Sequence, residues 1–346
     1  MDTAATPTAL TVTPLDVADD LAVEQAYALR SAIVAADVPD FPPLCRQRFF
    51  GQLRHPMPGE EMRFALAHLD GRAVGYLSIE LPQLENTEKA SLDIEVLPDY
   101  RRQGIGRALY EYAARTVREL GRTRVNGMSQ GPLPGEPARV EPGREFATSF
   151  GAKNALVDIR RRLDLDTLDQ AHLDELLAAS WLRADGYSLV RWIGPTPDEY
   201  LDDIAYLDGR LVQDAPMGDL EWEAVKPDRE RIRKVDELLV VRGRQGYSSA
   251  LRHDASGRVV AWTMIDVGAT PDWHAYQQIT IVDPDHRGHR LGTIAKIENL
   301  RYVMSHQPAV RIIDTWNAGV NDYMISINEA IGFRPVDAWN NWQLTL

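Results

Sequence analysis

The stretch RRQGIGR, residues 101–107, sets two glycines among three arginines, and the chemistry this offers is the holding of an anion. Where a helix begins, the first N–H groups lack an internal partner and carry the positive end of the helix dipole, so backbone donors can hold a phosphate there. Gly104 and Gly106 let an anion approach without a Cβ in the way, while Arg101, Arg102 and Arg107 add charge around Gln103 and Ile105. A second copy lies downstream. Val96, Pro98, Asp99, Arg101 and Gly106 recur as Val282, Pro284, Asp285, Arg287 and Gly292, each at an offset of 186 residues. Between Arg287 and Gly292 stand Gly288, His289, Arg290 and Leu291. Two familiar nucleotide loops fail at named positions. Neither copy has the Gly-Lys-Ser/Thr of a P-loop, and Leu109 stands where a dinucleotide fingerprint needs its third glycine.

Such a loop must lie between a strand and a helix. Proline cannot continue a central strand, so the chain leaves its sheet at Pro98 and again at Pro284. Beyond them, Ala108, Leu109, Tyr112, Ala113, Val117 and Leu120 in the first copy, and Ile294, Ile297, Leu300 and Met304 in the second, fall at helical spacing. Upstream, residues 62–81 read as a hairpin around Asp70-Gly71, and residues 248–267 repeat it around Gly257, again at the offset of 186. Each half also has a first strand, LTVTPL or SLVRWI, and helical stretches near 17–36 and 45–55, or near 197–213 and 228–242. The chain is therefore read as a duplication: a domain over 8–165, a helical linker over 166–187 and a domain over 188–346. The proline-rich stretch 129–143 reads as a loop that breaks the repeat, a surface insertion or a lid.

Composition agrees with two cores. A length of 346 residues exceeds what one core usually organises, and 44% hydrophobic residues suffice to pack two. A formal charge of -13 opposes nucleic acid and anionic membranes as partners and suits a cationic or amine-bearing one. Cys45, the single cysteine, excludes an internal disulfide and a cysteine metal cluster, and no metal site is expected. With no apolar run of membrane-spanning length and no signal-like start, a cytoplasmic protein is expected, a monomer or homodimer.

Arg101-x-x-Gly104-x-Gly106, preceded by Val96-x-Pro98-Asp99, resembles the acetyl-CoA loop of the Gcn5-related N-acetyltransferases, the GNAT family. In the second half Arg287 and Gly292 fit that pattern, Arg290 departs at its first glycine, and Asn321, Gly332 and Phe333 resemble the family's Asn…Gly-Phe ending. Over residues 8–346 the chain is similar to tandem members of the type that includes mycothiol synthase. The resemblance implies an α/β fold of two tandem GNAT domains, each a mixed, mostly antiparallel twisted sheet flanked by helices. It implies acetyl-CoA as cosubstrate and N-acetyl transfer, by direct attack, to the amine of a small molecule, such as a natural product or antibiotic, or of a peptide terminus. It assigns pantetheine to the fourth-strand backbone at Ile94 and Val96, or at Thr280 and Val282, and the remaining cofactor contacts to residues 101–107, 287–292 and Asn321.

A general base must deprotonate the amine. The family's usual glutamate position is Ala90 in one half and Tyr276 in the other, leaving Glu88, Asp93 and Glu95, or His274, Tyr276 and Asp314, as nearby substitutes. The family's tyrosine acid is replaced by Asn328, and Tyr323 is the nearest phenol. These absences support a second reading, an acyl-CoA-binding regulatory module without turnover.

Overall fold

A computed structural model of the chain describes residues 10–136 and 141–346. Residues 8 and 9 of the expected first domain and 137–140 of the expected loop lie outside the described residues. The chain divides into two compact units: the described residues up to Met128 with Ala147–Lys153 and Trp342–Leu346, and Ser129–Phe146 with Asn154–Asn341.

In the first unit, β1 (Leu10–Pro14), β2 (Glu60–Leu69), β3 (Arg72–Pro82) and β4 (Lys89–Val96) pair antiparallel in that order, and β5 (Arg124–Gly131) joins β4 in parallel. Asp70 and Gly71 join β2 to β3 with φ of 51° and 79°, the two positive values a two-residue hairpin turn requires. Helices α1 (Asp20–Asp37) and α2 (Arg46–Arg54) cover one face, packing Val23, Ile33 and Phe49 on Leu66 and Tyr76. Helix α3 (Ile105–Glu119) covers the other, packing Ile105, Leu109 and Ala113 on Leu77 and Ile79. It settles closely because β3 has Gly75 beneath it, where a Cβ would lie 2.9 Å from both Ile105 Cγ2 and Leu109 Cδ1. Leu120, expected on the apolar stripe, is exposed at the helix end. Helix α4 (Pro142–Ser149) follows. Because β5 extends to Gly131 and α4 begins at Pro142, the expected loop 129–143 is structured at both ends.

The second unit has strand order β6-β11-β10-β9-β8-β7. In chain order its elements are β6 (Lys153–Asp164), α5 (Gln170–Trp181), β7 (Tyr187–Ile193), α6 (Leu201–Gly209), α7 (Leu211–Asp214), α8 (Arg229–Val241), β8 (Arg244–His253), β9 (Val259–Gly268), β10 (His274–Val282), α9 (Leu291–His306), β11 (Ile312–Ala318), α10 (Asp322–Ile331) and the part of β12 (Arg334–Thr345) up to Asn341. β6, which the repeat reading placed in the first domain, runs antiparallel to β11 from Asp158↔Ala318 to Asp164↔Ile312. That ladder is why Asn154–Asp164 belongs to the second unit. Helices α6 and α8 cover one face with Leu201, Ile204 and Ile232, while α5, α9 and α10 cover the other with Leu173, Ile294 and Ile327.

A buried ion network ties β6, β10, β11 and β12 together. Side chains alternate across a strand, so Arg160 and Arg162 share one face of β6. Arg162 grips Asp314 through two hydrogen bonds of 2.8 and 2.7 Å, and Arg160 grips Asp337 through two of 2.9 and 2.6 Å. His274 Nε2 lies 3.0 Å from Asp314 Oδ2. Burial by itself would raise the Asp314 carboxyl, but the hydrogen bonds from Arg162 and His274 pull it down to about 2.

Since this folded-state pKa lies below the ordinary 3.8, the stabilisation is present above about pH 4 and disappears as pH falls through about 2. A loss of about 2 kcal/mol is expected over that interval in urea unfolding, and Asp314→Asn should abolish this pH dependence. The variant should itself be about 3–5 kcal/mol less stable at neutral pH, because it strands buried guanidinium charge. Gly75→Ala is expected to lower stability by about 1–3 kcal/mol, read as a lower denaturant midpoint, because α3 must lift from β3.

Candidate active site

In the first unit β4 parts from β5. Their parallel pairing runs from Lys89↔Arg124 to Leu92↔Gly127 and stops, while β4 continues to Val96 with its other edge paired to β3. The main chain of Asp93–Val96 is thereby left open on the β5 side. The chain then makes a short 3₁₀ turn at Pro98–Tyr100, passes through Arg102 at φ 63° and Gly104 at φ 86°, and enters α3. No side chain caps α3, whereas Asp19 caps α1 with bonds to Leu21 N and Ala22 N. The first-turn N–H groups of α3 thus face an exposed loop formed by Arg102, Gln103 and Gly104. Arg101 points elsewhere: its Nε donates to Val96 O at 3.0 Å and its Nη2 to the Asp37 carboxylate at 2.7 and 2.6 Å. Ile105 is buried beneath the helix start, Gly106 is half-buried, and Arg107 lies over the Phe150 ring at 5.1 Å.

The second unit repeats this geometry. β10 pairs with β11 from His274↔Ile312 to Tyr276↔Asp314 only, and a bulge between Gln277 and Thr280 shifts its register with β9. Thr280 and Val282 therefore lie on the separated stretch. Arg287 Nε donates to Val282 O at 3.3 Å, and its Nη2 lies 2.9 Å from Asp214. Gly288 and Arg290 have φ of 86° and 60°, so both αL positions of the first loop recur with glycine and arginine exchanged. The sequence suggests a departure at Arg290; the backbone keeps the same conformation there. His289 Nδ1 lies 3.0 Å from Arg183 O, while Leu291 and Gly292 are buried at the helix start. Asn321 caps α10, accepting from Met324 N at 3.2 Å.

The candidate proton-transfer groups separate into distinct places. Asp93 and Glu95 share one face of β4 on its open stretch, where Arg30 of α1 meets both carboxylates, bonding Asp93 at 3.0 Å and Glu95 through its Nε at 2.8 Å. Burial first, then the neighbouring Asp93 charge, push Glu95 up to about 7 against the pull of Arg30. Glu88 is remote from them, in the turn before β4, where a bond from its own backbone N–H holds its carboxyl low. His274 is the buried first residue of β10. It meets Asp314 and the Tyr276 ring, at 4.6 Å between centroids, at the paired end of the strands rather than along the opening. Tyr323 stands apart and exposed on α10. Sequence reading missed Arg30, for which α1 gives no motif. It also missed Arg160 and Arg162, whose alternation in IRRRL on a strand was a usable signal.

The model of the Acetyltransferase (GNAT) family matches residues 27–129. Among solved structures, a tandem GNAT protein from the clavulanic acid biosynthesis pathway is 33% identical over 97% of this chain and 98% of its own, with a TM-score of 0.82. A GCN5-related glucosamine N-acetyltransferase region of a fungal multi-domain beta-N-acetylglucosaminidase shares the fold at 17% identity and TM-score 0.69, over 99% of this chain and 39% of that one. A GCN5-related N-acetyltransferase from Sphaerobacter thermophilus does so at 15% identity and TM-score 0.62, over 97% and 95%. No curated protein sequence matches. Among the described residues no helix is long and apolar enough to cross a membrane. Sequence identity of one third, sustained along the whole of both chains on one fold, establishes that the chain belongs to the GNAT acetyltransferases as a tandem member.

Proposed function

We propose that the chain transfers an acetyl group from acetyl-CoA to the amine of a small molecule, or of a peptide terminus, by direct attack, and that its first unit carries out the transfer. The observation that carries this reading is the open edge of β4 at Asp93–Val96 beside the uncapped start of α3. Bound acetyl-CoA supplies a thioester whose carbonyl an amine attacks with loss of thiolate. The residues fit it: a Cβ built on Gly104 meets nothing within 4 Å, so the loop leaves room at the helix N-terminus. The first-turn N–H groups of α3 hold pyrophosphate, and the free edge of β4 holds pantetheine and the acetyl oxygen.

Asp93 and Glu95 place two carboxylates against the single guanidinium of Arg30, a balance that attracts an ammonium substrate. Glu95, poised at about 7, takes the proton that the amine must lose. The relative from the clavulanic acid pathway supports a natural-product amine as acceptor. We place the protein in the cytoplasm as a monomer or homodimer. For the second unit, acyl-CoA binding without turnover is the reading favoured by Asn328, which stands at the family's tyrosine position, buried, with Nδ2 on Asn317 Oδ1 at 3.2 Å.

Release of free thiol from acetyl-CoA across a panel of amines tests the reading; no turnover on any amine overturns it. The base must be ionised, so kcat/KM is expected to rise with pH through about 7. Glu95→Gln should remove that limb and lower kcat about a hundredfold, and an unchanged profile would assign the base elsewhere. Gly104→Arg is expected to weaken acetyl-CoA binding in the first unit about tenfold, or about 1.4 kcal/mol, in calorimetry. Arg290 already occupies the same αL position in the second loop, so the variant should fold.

A further inference from the structure

The chain has five lysines, and two of them, Lys89 and Lys296, are buried at 2% exposure each. Lys89 is provided for, donating to Asn86 Oδ1 at 2.7 Å and lying 3.3 Å from Glu88. Lys296, on α9, has no hydrogen bond and no ion pair among the described residues; its Nζ lies 5.2 Å from the centre of the Phe333 ring. Charged groups on the surrounding elements are engaged elsewhere or face solvent. On α9, Glu298 meets Trp181 and Arg191, and Arg301 meets Asp174 of α5. His172 of α5 meets Ala330 O, and Glu175 is exposed. On α10, Glu329 pairs with Arg161, and Asp322 is exposed. Among the strands, Arg244 pairs with Asp266 and His274 with Asp314. A solitary buried ammonium is costly and gives up its proton instead, and burial pulls this amine down to about 7.

Helix geometry says where the amine lies. The place of a Cβ on Gly292 is ringed by Val282 Cγ2 at 3.5 Å, Ile327 Cδ1 at 3.7 Å and Thr280 Cγ2 at 3.9 Å. Lys296 follows four residues later on the same face, about 6 Å further along the axis. Lys296 thus lies on the face of α9 that meets β10 and α10, with its Nζ toward Phe333 just beyond the close of α10. Asn328 Oδ1, buried on α10, is also without a partner among the described residues. The packing of α9 and α10 thus holds a donor and an acceptor that the protein itself leaves unsatisfied.

We propose that Lys296 is an acyl acceptor within the chain, taking an acetyl group from acetyl-CoA held by the second unit. The inference rests on the acyl-CoA reading of that unit. The nitrogen lone pair attacks the thioester carbonyl, a C–N bond forms and the C–S bond breaks. The departing thiolate takes up the proton that the nitrogen sheds, giving Nε-acetyl-lysine and free CoA thiol. The acetylated side chain is neutral, so the cost of a buried charge is removed for good.

Full-length protein incubated with acetyl-CoA at neutral pH, then digested and analysed by mass spectrometry, is expected to carry one acetyl group on the Lys296 peptide. It should form about a hundredfold faster than on the exposed Lys153, Lys226 and Lys234. Its rate should rise with pH through about 7 and then level off, because only the neutral amine attacks. Lys296→Arg should lose this mark and no other, and Lys296→Met, which keeps the volume without a charge, should unfold at the same denaturant concentration or higher. Equal acetylation of the exposed lysines, or an equal rate with an acetyl thioester lacking the nucleotide, overturns the inference. So does the absence of acetyl on Lys296. Calorimetry then decides the wider reading, which falls as well only if acetyl-CoA binds to neither unit.

Discussion

Each unit depends on one arginine that ties the end of a strand to the end of a helix. Arg101 joins Val96 O to Asp37 at the close of α1, and Arg287 joins Val282 O to Asp214 at the close of α7. As partly exposed ion pairs these contacts contribute at most about 1 kcal/mol each. Their importance is directional. They fix how the chain leaves the strand, and so where the two αL residues fall and where the uncapped helix begins. They also occupy the guanidinium that sequence reading assigns to phosphate, so the proposed phosphate site rests on the helix N–H groups instead.

The two loops solve one backbone problem with opposite residues. Both need positive φ at their second and fourth positions, and each spends its glycine at a different one: Gly104 beside Arg102, and Gly288 beside Arg290. A non-glycine residue in that conformation costs roughly 1–2 kcal/mol, so the strain is similar in both. What differs is the point of the loop from which an arginine projects. A glycine pattern reports where a Cβ is missing, and it under-reports where the backbone is left-handed.

Much of the fold was legible because it is written twice. The constant spacing between Val96 and Val282, and between Gly71 and Gly257, located the hairpins, the loop strands and the helices that follow. Periodicity could not show that β6 pairs with β11, since an alternating strand reads the same whichever edge it joins. The parting of β4 from β5 was equally silent: it is an absence of main-chain bonds between residues whose side chains, Ile94 and Val96, look like any strand core. Arg30 was invisible because its meaning depends on two carboxylates more than 60 positions away, linked only by folding. Lys296 did leave a trace, as the one lysine of its helix, set between Ala295 and Ile297.

The units also treat charge in opposite ways, and this bears on how two copies divide the work. The first leaves its carboxylates beside the open strand, partly reachable by solvent, with Glu95 held near neutrality where proton transfer is easy in either direction. The second draws its strongest charges to the paired end of the same strands, where Asp314 is locked between Arg162 and His274 and cannot readily exchange a proton. On the face of α9 that meets β10 and α10 it keeps a buried amine against Phe333 instead, drawn down to about 7. A site that cycles protons needs a titrating group that returns to its starting state after each turn, the part that the proposed transfer gives to Glu95 of the first unit. A site whose titrating group is itself the nucleophile, as proposed for Lys296, changes once and stops, and the proposed asymmetry rests on where each unit places its charge rather than on any difference in fold.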